Sequence, residues 1–142
     1  MKKFKFIIIF SIIFVLTGCS SQSLSCTKTE DTDYGKISES QNFSFSNNKI
    51  TLYSAEMSIK LNDDFNDYAD VLLESLEEPF KDYKNKDGIE YETSKKDDVI
   101  SIKFSGDYDK MDDETKDSLG IDKKSSYDEV KKSLEDDDYT CK

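Results

Sequence analysis

The chain has no histidine, no arginine, one proline and only five glycines among 142 residues. Without imidazole, the Ser-His-Asp and Cys-His nucleophile systems, His-ligated zinc and the commonest general base near neutral pH are all excluded. With every cation a lysine, the planar fork that grips phosphate or carboxylate in two places is missing, which disfavours an anion site. The glycines form neither G-x-x-x-x-G-K-[ST] nor G-x-G-x-x-G, so no phosphate-cradling loop supports nucleotide binding. No basic stripe is interleaved with aromatics, and nucleic acid is not an expected partner. With 31 acids some pair of carboxylates always falls close together, so none is singled out. No catalytic residue, no metal ligand and no cofactor is assigned, and the chain is not expected to be an enzyme.

Long hydrophobic runs are scarce too. The one present is Phe6 to Leu16, apolar apart from Ser11, and it follows Lys2, Lys3 and Lys5. A charged start and an apolar stretch shorter than the about 20 residues of a spanning helix read as a secretory signal. It ends in Leu16-Thr17-Gly18-Cys19. This tetrapeptide resembles the lipobox of bacterial lipoproteins. The resemblance implies cleavage between Gly18 and Cys19 and acylation (palmitate-type chains) of the new N-terminal Cys19. It also implies attachment to the extracytoplasmic face of the cell membrane. Each acyl chain binds a bilayer at about 0.8 kcal/mol per buried CH₂, so two chains hold firmly. Residues 1–18 are then signal peptide, 19–25 a lipidated cysteine with a flexible Ser-rich tether, and 26–142 a single acidic domain. Loss of residues 1–18 leaves 17 lysines against 31 acids, a net charge of −14. The aromatic supply beyond residue 18, five Phe and eight Tyr, argues for a folded domain rather than a disordered polyanion.

With Cys19 assigned to lipid, Cys26 and Cys141 remain. An even count outside the cytoplasm reads as one disulfide, with two free thiols as the alternative. C-x-x-C spacing is absent, so a redox pair is not expected.

Along the chain, Cys26 to Asp33 reads as a polar edge strand, Tyr34-Gly35 as a turn, and Glu39 to Ser46 as a strand with Phe43 and Phe45 on one face. Asn47-Asn48 signals a hairpin. Lys49 to Leu61 is a long strand whose apolar parity switches near Leu52-Tyr53, the mark of a bulge. Asn62-Asp63-Asp64 opens a helix with an Asx cap. Its stripe is Phe65, Tyr68, Leu72, Leu76, Phe80 and Tyr83, and Pro79 ends it near Glu77 or Glu78. Ile89 to Thr93 and Ile100 to Phe104 flank the charged turn Lys95-Lys96-Asp97-Asp98, a second hairpin. Asp107 to Leu119 is a weaker helix stopped by Gly120. Ser126-Tyr127-Asp128-Glu129 is a capping box opening a last helix.

Strands, helix, strands, helices predict an α+β fold, a small antiparallel sheet of about four to five strands with helices on one face. The plan is similar to that of small YehR-like bacterial lipoproteins, a resemblance that implies no activity. The expected function is a non-catalytic lipoprotein with a binding or maintenance role in the cell envelope, possessing an envelope partner. The alternative is a calcium-responsive acidic surface. Asn85-Lys86-Asp87-Gly88 suits the middle of an EF-hand loop, but Tyr83 and Ser94 then fall where the end carboxylates belong. The acidic runs Asp107, Asp109, Asp112, Asp113, Glu114 and Glu135 to Asp138 are the other cation candidates.

Overall fold

The computed structural model describes residues 21–119, 122 and 124–142. The signal segment, Gly18 and Cys19, and the stop at Gly120 lie outside the described residues. Strands β1 (Ser21–Thr32), β2 (Gly35–Ser46), β3 (Lys49–Leu61), β4 (Ile89–Lys96), β5 (Val99–Asp107) and β6 (Thr140–Cys141) form one antiparallel sheet in the order β4-β5-β3-β2-β1-β6. Helices α1 (Ala69–Glu77), α2 (Asp113–Leu119) and α3 (Tyr127–Asp136) complete the α+β fold.

The sheet has six strands, not the four to five expected. The extra strand, β6, is two residues long, too short to carry an alternation in sequence. Its place is set from outside: Cys26 pairs with Cys141 and Thr27 with Thr140, the two cysteines are disulfide-bonded, and Ser25 and Lys142 exchange both backbone hydrogen bonds. The Ser-rich tether is the second correction. Ser21–Ser25 are not a linker but the first part of β1, paired from Ser21 with Ser46 to Ser25 with Asn42. Leu24 is the reason, because its side chain is buried in the core while the flanking serines stand outward. The folded domain therefore includes Ser21–Ser25.

Other local signals translate directly. Asn47 and Asn48 both take positive φ (51° and 58°), as a two-residue type I′ hairpin requires. The parity switch in β3 is a bulge at Thr51: Ser44 pairs with Leu52 and Phe45 with Ile50, leaving Thr51 without an opposite number. Its hydroxyl donates to the Ser44 carbonyl at 3.1 Å. Asn62 stands at the helix entrance but makes no side-chain cap. It reaches across to donate to the Asp33 carbonyl at 3.0 Å. The helical stretch is three pieces, a 3₁₀ segment (Asp63–Tyr68), α1, and a second 3₁₀ segment (Glu78–Tyr83) with Pro79 in its first turn. Pro79 ends α1 at Glu77 because it has no N–H for the helical ladder and its ring crowds the preceding turn. Tyr68 leaves the expected stripe and is 57% exposed.

All large buried strand residues share one face. Leu24, Phe43, Phe45 and Ile50 form one core with Tyr108 and with Leu134 of α3, while Tyr127 and Val130 pack alongside. Ile59, Leu61 and Ile100 form a second core with Ala69 of α1, and Leu72, Leu73 and Leu76 pack against it. Helices α3 and α1 thus sit over the two ends of the same face. The opposite face is hydroxyl-rich: Thr29, Ser38, Ser58, Ser101 and Ser94 lie in register across five strands. Antiparallel sheets tolerate one such solvated face.

Candidate functional site

Between the two cores, the helices leave open the middle of two cross-strand rows on the face they cover. One runs Cys26, Gln41, Ala55, Phe104, Tyr91; the next runs Lys28, Glu39, Met57, Ile102, Thr93. Of these, Glu39, Gln41, Ala55, Met57, Ile102 and Phe104 line a cleft of about 170 Å³. Leu76 of α1 and Phe80 of the following 3₁₀ segment make one wall, and Tyr139 makes the other. The gap exists because Pro79 breaks the helix beside Phe80 and because α3 is only ten residues long.

Each wall is pinned. Thr93 donates its hydroxyl to Glu77, and Lys95 donates to Asp70 at 2.7 Å, tying α1 to the edge strand β4. On the other side α3 opens on a complete capping box: Ser126 Oγ accepts from Glu129 N–H, and the Glu129 carboxylate accepts from Ser126 N–H at 2.8 Å. Asp138 takes φ 66° to turn the chain back, and Tyr139 N–H closes onto the Leu134 carbonyl at 2.9 Å. The Cys26–Cys141 bond then fixes Tyr139 over the sheet, two residues from the bridge.

The polar content of the cleft is small and convergent. Tyr139 Oη donates to Glu39 Oε2 and accepts from Gln41 Nε2 at 3.1 Å. Burial, and next the hydrogen bond to the Glu39 carboxylate, push the Tyr139 phenol up to about 12. Tyr53, tilted against Phe43 with ring centroids 4.9 Å apart, is also raised, by burial first and by the Glu39 charge second. Phe104 links the cleft to the surrounding rings, 5.6 Å from Phe80 and 6.1 Å from Tyr53 between centroids. Lys28 is opposite Glu39 in the sheet, yet its ammonium donates to the Asp137 carbonyl at 3.1 Å and lies 5.6 Å from the Tyr139 ring centroid. The arrangement is a hydrocarbon floor with the Glu39 carboxylate, one phenol and one amide at its side, suited to holding a small group; a second carboxylate in the lining, Glu56, is paired with Lys103 at 3.7 Å.

Of the residues singled out in the sequence, Cys26 and Cys141 are brought together as a disulfide. Four carboxylates of the acidic runs, Asp107, Asp112, Asp113 and Glu135, are engaged locally. Asp112 accepts from Thr115 N–H at 2.7 Å, and that residue's side chain and amide hold its carboxyl below the usual carboxylate range. Asp107 pairs with Lys110 at 2.9 Å, Asp113 with Lys116 at 3.4 Å and Glu135 with Lys131 at 3.8 Å. Among the described residues no group of three or more His, Cys, Asp or Glu side chains is placed to hold a metal ion. No helix among them is long and apolar enough to cross a membrane.

Sequence reasoning passed over Glu39, Gln41 and Tyr139. For the first two a signal was there: both occupy the inward parity of β2, between Ile37 and Phe43, where an apolar residue belongs. Tyr139 carried none, since only the disulfide and the turn at Asp138 bring it to β2.

No known family profile matches the sequence, and no curated protein matches it. Among solved structures, the NMR structure of a protein from Streptococcus pneumoniae TIGR4 is similar over 100% of this chain and 97% of its own, with a TM-score of 0.58 at 12% identity. At that identity the likeness shows a shared fold and nothing of function.

Proposed function

We propose that the protein is a non-catalytic, lipid-anchored binding domain on the extracytoplasmic face of the cell membrane, holding a small group of an envelope ligand or partner in the cleft beside Glu39. The cleft carries this reading, with its floor of Ala55, Met57 and Ile102 and one polar cluster, Glu39, Gln41 and Tyr139, converging on it. Its volume of about 170 Å³ lies below the roughly 300 Å³ of ordinary small-molecule pockets, which suits a side-chain-sized group rather than a whole metabolite. The anchor rests on Leu16-Thr17-Gly18-Cys19 and the apolar run before it. The acidic surface supports an exposed, soluble domain held near, but not pressed onto, anionic headgroups.

The two halves of the proposal are tested separately. Cys19→Ala should abolish acylation and move the protein from the detergent phase to the aqueous phase or leave an uncleaved precursor. Acylation of the variant as in the wild type refutes the anchor. For the cleft, the protein labelled with ¹³C in its methionine methyl groups offers a reporter at Met57. A fragment screen should move the Met57 signal and leave buried Met111 in place. Fragments that bind only elsewhere refute the site.

A further inference from the structure

We infer that the group held in the cleft is an alkylammonium: a short hydrocarbon arm ending in a positively charged nitrogen. The inference rests on the cleft being a binding site and adds the chemistry of what it takes.

Glu39 is half-buried in the side of the cleft, and Tyr139 occupies only Oε2 of its carboxylate. Among the described residues no hydrogen bond reaches Oε1, and no lysine lies within ion-pair distance of the group. Lys28, the nearest cation in register, is committed to the Asp137 carbonyl and the Tyr139 ring. A partly desolvated carboxylate with a free oxygen favours a cationic donor, and such charge-assisted hydrogen bonds are about twice as strong as neutral ones. Three aromatic rings, Phe80, Phe104 and Tyr139, line the same space. Aromatic faces attract ammonium groups within about 6 Å. Below them Ala55, Met57, Leu76 and Ile102 offer the arm a hydrocarbon surface.

An anion is repelled by Glu39 and by a molecule carrying 31 acids against 20 lysines. A neutral alcohol fills the floor but leaves the Glu39 charge desolvated and unpaired. Two sources share the required chemistry: a free short amine, and the end of a lysine side chain in an envelope peptide.

The full chain in lipid nanodiscs, with ¹³C-methyl methionine, is titrated with n-butylammonium, with n-butanol and with a capped Gly-Lys-Gly peptide. The Met57 methyl should shift with butylammonium while Met111 stays fixed. Butanol should bind about tenfold more weakly or worse, and Glu39→Gln should weaken the amine by a similar factor. An unshifted Met111 signal in the variant reports that it is folded. Tighter binding of the peptide than of butylammonium assigns the source to a lysine side chain, and the reverse assigns it to a free amine. Equal affinity for butanol and butylammonium overturns the ammonium inference while leaving the cleft as a site, and needs no variant at all. No response of Met57 to any of the three overturns both.

Discussion

Tyr139 and Tyr108 show how the surroundings of one phenol decide its behaviour. Tyr139 gives its proton to a carboxylate in a half-buried site, and its folded value of about 12 lies above the ordinary tyrosine value near 10. A raised folded value means the native state holds the proton more tightly than the unfolded chain does. The stabilisation is therefore complete below pH 10 and is lost as the pH rises from about 10 to about 12. Burial also raises the phenols of Tyr53 and Tyr108, so we expect a spectrophotometric titration at the tyrosinate band to show late components, one of which Tyr139→Phe removes. The variant should also lose less stability than the wild type across that interval. Tyr108 presents the opposite case, a phenol buried to 1% exposure whose Oη has no hydrogen-bond partner among the described residues. An unpaired buried hydroxyl costs about 1–3 kcal/mol, so Tyr108→Phe should be neutral or stabilising, up to about 1 kcal/mol in a denaturant titration. A clear loss of stability would show that the hydroxyl is satisfied in solution.

At the scale of elements, the parts read correctly in sequence are those whose cause is local. The Asn47-Asn48 turn needs only two residues that tolerate positive φ, the end of α1 needs only Pro79, and the start of α3 needs only Ser126 and Glu129. Strands β2 to β5 declare themselves by shorter stretches of alternation, such as Phe43 and Phe45 in β2 or Ile100, Ile102 and Phe104 in β5, within strands of eight or more residues. What could not be read has its cause elsewhere in the chain. Ser21–Ser25 look like a linker until Leu24 meets Phe43, and Thr140–Cys141 become a strand only because Cys26 is beside them. The site divides the same way: Glu39 and Gln41 break an inward alternation that is visible in the sequence, whereas Tyr139 arrives from a sequence distance of about a hundred residues. The local devices are testable one at a time. Ser126→Ala removes the acceptor for Glu129 N–H and one hydroxyl donor to its carboxylate, and should cost about 1 kcal/mol. Because α3 carries Leu134 into the core, the loss should appear in the global unfolding midpoint and not merely as local fraying.

For the whole molecule the decisive link is the disulfide, which joins residues separated by 115 positions. On the chain-entropy account a loop of this length contributes about 4–5 kcal/mol by restricting the unfolded chain. Reduction, or replacement of both cysteines by serine, should lower stability by an amount of that order, read from denaturant midpoints with and without reductant. It should also release β6 and with it Tyr139, so the Tyr139 component of the late phenol titration should fade in the reduced protein even under conditions where the sheet persists. A reduced protein that kept both its midpoint and its late tyrosine would show that β6 is held by backbone pairing alone.

The same bond bears on mechanical load. A membrane anchor ahead of Ser21 would pull on β1 from its N-terminal end, the direction in which an antiparallel pair unzips one hydrogen-bonded step at a time. Ser21 to Ser25 can be peeled from β2 in this way, which adds about 17 Å of reach. At Cys26 the peeling meets a covalent bond to the far end of the chain. Beyond that point tension is shared between β1 and the segment after α3. Under such a load Ser21 to Ser25 would yield first, drawing Leu24 out of the core and breaking the Ser25–Lys142 hydrogen bonds. Cys26 is where the yielding would stop.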